Sequence, residues 1–302
     1  AMPPEGFAIK TAKGLVFIVG NGQGTEWGCY EFLERFVGMR WYLPTDLGRS
    51  VPKSATLSVA PVWLEDAPVF RKREIWPPCS IPSHGGGTQL SPLHTFLRSA
   101  DSWPIKLQVH QPNWSGVEDY KKNRPEVYQL RSDDTRDYSM ICYGNPKTLE
   151  TYLENLDRLF TGKTPAYAPV VGNAITVSPN DAEIACYCPD CRKLWNEKGG
   201  QYGSASRITA TFVARLGEEV KKRWPDKTVI FLPYLNYTMA PEGIQFPGNV
   251  EVQICGMPGV AMYKEPLVLA EEQGNVDGWM RISGRKIQNW HSTVGPKAAC
   301  RQ

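Results

Sequence analysis

No run of about eighteen apolar residues occurs in this chain, so no segment reads as a membrane-spanning helix. Charge of one sign is also lacking. The formal net charge is +3 over 302 residues, spread thinly, and leaves no basic face for nucleic acid. The opening Ala1-Met2-Pro3-Pro4-Glu5-Gly6 has none of the marks of a signal peptide, and a strand pattern follows almost at once, so it does not read as a natural start. A complete dinucleotide fingerprint is missing too. Leu15-Val16-Phe17-Ile18-Val19 reads as a strand and Gly20-Asn21-Gly22-Gln23-Gly24 as a glycine-rich turn, but Thr25 stands where the third glycine belongs, and no acidic residue closes a second strand. Finally, Cys186-x-Cys188-x-x-Cys191 has no second cysteine pair at zinc-ribbon distance.

What is present is an ordinary globular composition, 41% hydrophobic and 22% charged, ample for a sizeable core in one large α/β domain or two smaller ones. Ten Trp and thirteen Tyr stand out. Flat rings with a polar handle suit sugar binding and equally fill cores. Cys29, Cys79, Cys142, Cys255 and Cys300 are scattered; they read as small core hydrophobes and demand no oxidising compartment.

The pattern along the chain is mostly βα. Thr25 reads as the N-cap of a helix with Cys29, Phe32, Leu33 and Phe36 on its apolar face, closed by Gly38. Residues 44–69 are proline-rich, with an edge strand expected around Thr56-Leu57-Ser58-Val59. Strands are then expected at 70–76, 105–110, 138–143, 174–178, 228–233, 250–255 and 286–290. Asn145 and Pro146 open a helix with the apolar face Leu149, Tyr152, Leu153, Leu156 and Phe160. A second carries Ile208, Phe212, Leu216 and Val220, and a third runs from about Pro266 to Ile282. Alternating short strands and helices imply a parallel sheet. Seven such strands fall one short of a closed (β/α)8 barrel. The expectation is therefore an α/β fold of TIM-barrel type, incomplete at about seven βα units and belonging to a longer parent chain.

The most informative tripeptide is Pro179-Asn180-Asp181, which ends the apolar run Ala174-Ile175-Thr176-Val177-Ser178. Ligands of α/β folds meet the carboxyl ends of strands, and an amide beside a carboxylate there can hold a polar substrate and move a proton. The same pair also caps turns in proteins with no site at all.

Several segments in order resemble a bacterial family known as domain of unknown function 4838, found among carbohydrate-degrading enzymes. They are Gly28 to Pro44, Phe70-Arg71-Lys72-Arg73-Glu74, Cys142-Tyr143-Gly144-Asn145-Pro146, Ser178-Pro179-Asn180-Asp181, and Cys186-Tyr187-Cys188-Pro189-Asp190-Cys191. The first also resembles the small α/β domain that precedes the barrel in α-glucuronidases and β-hexosaminidases. The resemblance implies a truncated small α/β domain with linker over residues 1–62 and a glycoside-hydrolase-like barrel over 63–302. It places Arg73 against sugar hydroxyls, His110 at a strand end, and Asn180-Asp181 where β-hexosaminidases carry an Asp-Glu pair. It also implies a bacterial periplasmic or extracellular location.

Glycoside cleavage needs a carboxyl that protonates the leaving oxygen. Asp181 is the best acid in the chain, Asn180 suits a 2-acetamido group, and Glu74 is the second carboxylate expected near the barrel mouth. Trp114, Tyr143, Asn145, Tyr234, Asn236, Tyr237, Trp290 and His291 follow strands and are the substrate-binding candidates. The expected partner is a glycan bearing N-acetylhexosamine or uronic acid, with no nucleic acid, membrane or obligatory cofactor. A non-catalytic carbohydrate-binding barrel and an inactive fragment of a larger enzyme are the rival readings. Cys186, Cys188 and Cys191 have ligand spacing for zinc if a remote fourth ligand arrives, and otherwise form a local disulfide or pack a loop.

Overall fold

The computed structural model describes residues 1–42, 46–70, 72–73, 98, 100–101, 112–167, 170–255 and 266–290. The chain divides into two compact units, Ala1–Pro104 and Ile105–Gly295. Of the expected features, the strand at 105–110, Glu74, His110 and His291 lie outside the described residues.

In the first unit, β1 (Phe7–Ala12) pairs antiparallel with β2 (Leu15–Gly20). The connection is the two residues Lys13 and Gly14, both at positive φ (52° and 74°), the requirement of a tight hairpin turn whose twist matches the strands. Two-residue pairings join β3 (Arg40–Trp41) to β4 (Arg49–Ser50), and β5 (Trp63–Asp66) completes the sheet on the other side of β1. The edge strand thus falls at 63–66, and 56–59 is irregular, with Val59 half-buried and the other three residues exposed. Strands β6 (Lys72–Arg73) and β7 (Ala100–Asp101) form a further short antiparallel pair.

Helix α1 (Gly24–Phe32) continues through a π-helical turn to Gly38, whose φ of 81° ends it as expected. Its N-cap is Gln23, and Thr25 lies inside the first turn. Trp27, Gly28 and Glu31 are buried, Phe32 and Phe36 pack against the core as expected, and Cys29 is exposed instead of lying on the apolar face. The glycine-rich turn is a packing device: a Cβ at Gly24 would lie 2.0 Å from the Gly6 carbonyl oxygen. Phe7, Ile9 and Trp27 form this unit's core.

The first described elements of the second unit are helix α2 (Glu118–Asn123) and the hairpin of β8 (Tyr128–Leu130) and β9 (Arg136–Ile141). The segment expected as a strand of the βα repeat at 138–143 is therefore the second arm of an antiparallel hairpin. Helix α3 (Pro146–Phe160) starts where expected, the Asn145 carboxamide accepting from the Lys147 N–H at 2.9 Å. Tyr152, Leu153 and Leu156 are buried, and Leu149 and Phe160 pack on the core's rim.

The main sheet holds β10 (Val170–Val171), β11 (Ala174–Thr176), β12 (Thr228–Phe231), β13 (Val250–Cys255) and β14 (Gln288–Trp290) in that spatial order. Strands β11 to β14 are parallel neighbours, and β10 is antiparallel to β11. Between β11 and β12 run α4 (Pro189–Leu194) and α5 (Ser206–Arg223); α6 (Pro266–Ser283) links β13 to β14. The described strands of this sheet neighbour each other in chain order, as in a singly wound sheet.

Register sorts the strand residues onto two faces. Ile175, Val229, Phe231, Val250, Val252 and Ile254 belong to the apolar core with Leu216 of α5 and Trp279 of α6. Burial of side chains this size contributes roughly 1.5–3 kcal/mol each. The other face is buried yet more polar, with Thr176, Glu251 and Gln253. Glu251 is raised by burial, opposed by the guanidinium of Arg285 that hydrogen-bonds it.

Helix α5 approaches the sheet at Gly217, where an added Cβ would lie 2.5 Å from Val250 Cγ2 and 2.8 Å from Pro247 Cγ. Gly274 of α6 has nothing within 4 Å of the same position. Alanine normally stabilises a helix interior over glycine by about 1 kcal/mol. Gly274→Ala should therefore raise the melting temperature. Gly217→Ala should lower it, because overpacking costs ~1–3 kcal/mol. Equal shifts in thermal melts of the two variants would contradict the packing described.

Candidate functional site

Strand pairing runs past the regular ends of β11 and β12 and gathers their carboxyl termini. The Val177 N–H donates to the Ile230 carbonyl at 3.2 Å, the Leu232 N–H to Ser178 Oγ at 2.8 Å, and the Cys255 N–H to the Pro233 carbonyl at 3.2 Å. Beyond these bonds the chain leaves the sheet at Asn180 and Asp181. Asp181 is exposed.

The electrostatics locate the neighbours of its carboxylate. The Tyr234 phenol is raised by partial burial, then by Cys255 and Asp181. Tyr237 is raised strongly, by burial first and Asp181 second. The Cys255 thiol is pushed up to about 11 by burial, then by Asp181 and Glu272. Residues following β11 and β12 and ending β13 therefore share one electrostatic environment at the carboxyl edge. At neutral pH its phenols and thiol stay protonated, so Tyr234 can donate a hydrogen bond and Cys255 is a poor nucleophile.

The loop after Asp181 is held from below. Asn236, 4% exposed, grips Ile184 at both ends: the Ile184 N–H donates to Asn236 Oδ1 at 3.0 Å, and Asn236 Nδ2 donates to the Ile184 carbonyl at 2.9 Å. Asn180 Nδ2 donates to the Ser139 carbonyl at 3.0 Å, which ties the strand end to the hairpin. Against that hairpin lies a polar groove of about 340 Å³, lined by Arg131, Asp137, Ser139, Glu183 and Tyr187 among others. Burial opposes ionisation of Asp137, yet hydrogen bonds from Ser139 and the nearby Arg131 hold its carboxyl below the usual range.

The other candidates fall into different places. Trp114 is 1% exposed and donates from its indole to the Tyr167 carbonyl; Tyr143 is 3% exposed and donates to the Val177 carbonyl. Both pack in the core, as does the Tyr237 ring against Phe231. Asn145 serves as the α3 cap. The backbone of Trp290, on β14, is in register with Cys255 at the end of β13. Arg73 lies in the first unit, where its guanidinium bonds Glu5 Oε2 at 2.9 Å and the Arg98 and Phe70 carbonyls. Tyr234, Asn180 and Asp181 are the sequence candidates that the structure brings to the carboxyl edge; Cys255, which joins them, carried no signal beyond ending a strand.

A second constellation lies behind the loop. The sulfurs of Cys142, Cys186, Cys188 and Cys191 all lie within 4.8 Å of one another, and all four residues are buried. Cys142 Sγ is 3.5 Å from Cys188 Sγ and 3.6 Å from those of Cys186 and Cys191. Hydrogen bonding with Cys142, Cys186 and Cys191 pulls the Cys188 thiol down. Sequence reading had placed Cys142 with the scattered core cysteines, because 44 residues separate it from Cys186.

Two measurements check this geometry. Asp181→Asn removes a negative charge that opposes thiolate formation at Cys255. The pH midpoint for alkylating Cys255, followed by peptide mass spectrometry, should move down from about 11, while burial keeps it above an ordinary thiol. An unmoved midpoint would separate the two residues. Asn236→Ala should cost ~1–3 kcal/mol for the buried bonds it strands. Hydrogen exchange should then quicken at Ile184; unchanged exchange there would mean that other contacts hold the loop.

No curated protein matches the chain significantly. The model of one family, described as a domain of unknown function (DUF4838), matches residues 43–294. That stretch includes the Asn180-Asp181 strand end and all four clustered cysteines, while the segment 28–42 precedes it. With most of its length matched, the chain belongs to the DUF4838 family.

Proposed function

We propose that this domain is carbohydrate-active and cleaves glycosidic bonds at the carboxyl edge of its parallel sheet, with Asp181 as general acid. The observation that carries the reading is the convergence of Asp181, Tyr234 and Cys255 at the ends of consecutive parallel strands, where (β/α) barrels place their chemistry. A singly wound order and a buried polar second face agree with strands curling around a polar interior of TIM-barrel type.

In this mechanism Asp181 gives its proton to the departing glycosidic oxygen. Tyr234, half-buried and protonated, offers a ring to the apolar face of a sugar and a hydroxyl to its rim. Asn180 spends its amide nitrogen on Ser139, which leaves Oδ1 as the half that can accept from a 2-acetamido N–H. Its being an amide rather than a second acid favours attack by the substrate's own acetamido oxygen over a carboxylate nucleophile. The glycans this suits carry N-acetylhexosamine, with uronic-acid glycans next.

One observation favours a second reading, a barrel that binds carbohydrate without cleaving it. Asn180 and Asn236 both spend side-chain bonds on the protein backbone, and Asn236 is almost wholly buried. A turnover screen of aryl-glycosides and oligosaccharides separates the two, run on this chain beside the longer parent protein. Cleavage should be seen, and Asp181→Asn should slow it about a hundredfold or more while binding survives. Undiminished turnover in that variant would move the acid elsewhere. Binding without turnover in either protein would establish the second reading.

A further inference from the structure

We infer that Cys142, Cys186, Cys188 and Cys191 are the four ligands of a single structural zinc ion. The inference is independent of the carbohydrate reading. Zinc in structural sites is held tetrahedrally by four protein ligands at about 2.3 Å for sulfur, which sets sulfur–sulfur edges of about 3.8 Å. The three pairs that include Cys142 stand at 3.5, 3.6 and 3.6 Å, and every pair lies within 4.8 Å. A disulfide would require a separation of about 2.05 Å, so the sulfurs sit at ligand spacing rather than bonded spacing.

Three further features fit a metal. First, the sulfurs receive backbone amides. The Cys191 N–H donates to Cys188 Sγ and the Leu130 N–H to Cys186 Sγ, both at 3.4 Å. Amides aimed at sulfur offset the negative charge of a thiolate and fix its orientation. Second, the residue two after Cys142 has no room for a side chain. A Cβ at Gly144 would lie 2.6 Å from Cys191 Sγ and 2.7 Å from its backbone nitrogen. Third, the four residues are 0–4% exposed, so the site is closed, with no open position for a substrate. An all-sulfur donor set selects soft or borderline metals and rejects calcium and magnesium. Four filled positions in a closed pocket are the pattern of structural rather than catalytic zinc.

Binding replaces four S–H bonds by four Zn–S bonds, releases four protons and leaves a local charge of −2. No oxidant or reductant takes part. The ion would clip the end of the β8–β9 hairpin, through Cys142, to the segment 186–191 that opens α4. These partners are 44 to 49 residues apart in the chain. Closing loops of this length is where a cross-link stabilises most.

The test is metal analysis of the chain purified under reducing conditions in metal-free buffer. About one zinc per chain is expected, released as the thiols are titrated with a mercurial reagent and followed with a chromogenic chelator. Cobalt exchanged into the site should give the intense visible bands of a tetrahedral thiolate centre. A strong chelator should lower the melting temperature of the wild-type chain. Cys142→Ser should lose most of the zinc, and the exposed Cys29→Ser should keep it. If Cys142→Ser fails to fold, the zinc count and cobalt spectrum of the unaltered chain decide alone. Iron in place of zinc, a metal-free chain with four free thiols, or a mass reduced by the hydrogens lost to disulfides would each overturn the assignment.

Discussion

The parallel register of β11, β12 and β13, buried on both faces, is the constraint on which the second unit depends. Strands that must hide two faces cannot slip by one residue, since a slip would exchange Val229, Phe231, Val250 and Val252 with Ile230, Glu251 and Gln253. Fixing the register fixes where each strand ends. Those ends let the Leu232 N–H bond Ser178 Oγ and the Cys255 N–H bond the Pro233 carbonyl, and Asp181 follows where the chain leaves the sheet. The glycine at 217 lets α5 lie close against this sheet, and Trp279 brings α6 onto the same core.

The segment after Asp181 has little regular structure until α4, yet it is fastened at several points. Asn236 holds Ile184, Gln129 Oε1 accepts from the Ala185 N–H at 3.1 Å, and the Tyr187 N–H donates to the Leu130 carbonyl at 2.8 Å. Next come the buried cysteines. A loop anchored this way keeps an exposed carboxylate in place without burying it. The hairpin supplies most of the anchors, so β8 and β9 serve the strand end more than they extend the sheet.

Much of this was legible in the sequence. The helices at 146–160 and 206–223 followed from the spacing of their apolar residues, the first also from its Asn-Pro start, and the helix at 266–283 lies where a helical span was expected. The parallel strands of the main sheet were readable as apolar runs between those helices. The hairpin was not, because β8 is only three residues long and its partner imitates a repeat strand. On α1, Phe32 and Phe36 pack on the core as their spacing implies, but Cys29 is exposed, and the buried Gly24 and Gly28 leave no mark in a hydrophobic pattern. The position of Asp181 beyond a strand end was readable from the apolar run before it. The fourth sulfur was missed because spatial closeness across 44 residues leaves no trace in local spacing. Trp114, Tyr143 and Tyr237 illustrate a general ambiguity: an aromatic after a strand fills a core as readily as it lines a cleft.

The central claim is that a sugar binds at the carboxyl edge of the parallel sheet with its glycosidic oxygen against Asp181. The most direct measurement is a crystal structure of the Asp181→Asn variant with the oligosaccharide that the parent protein handles best. The account expects the scissile oxygen within about 2.6–3.2 Å of the residue at position 181, the reach of a proton donor, with a sugar ring on Tyr234. A sugar bound elsewhere on the domain, with position 181 facing only solvent, would contradict it.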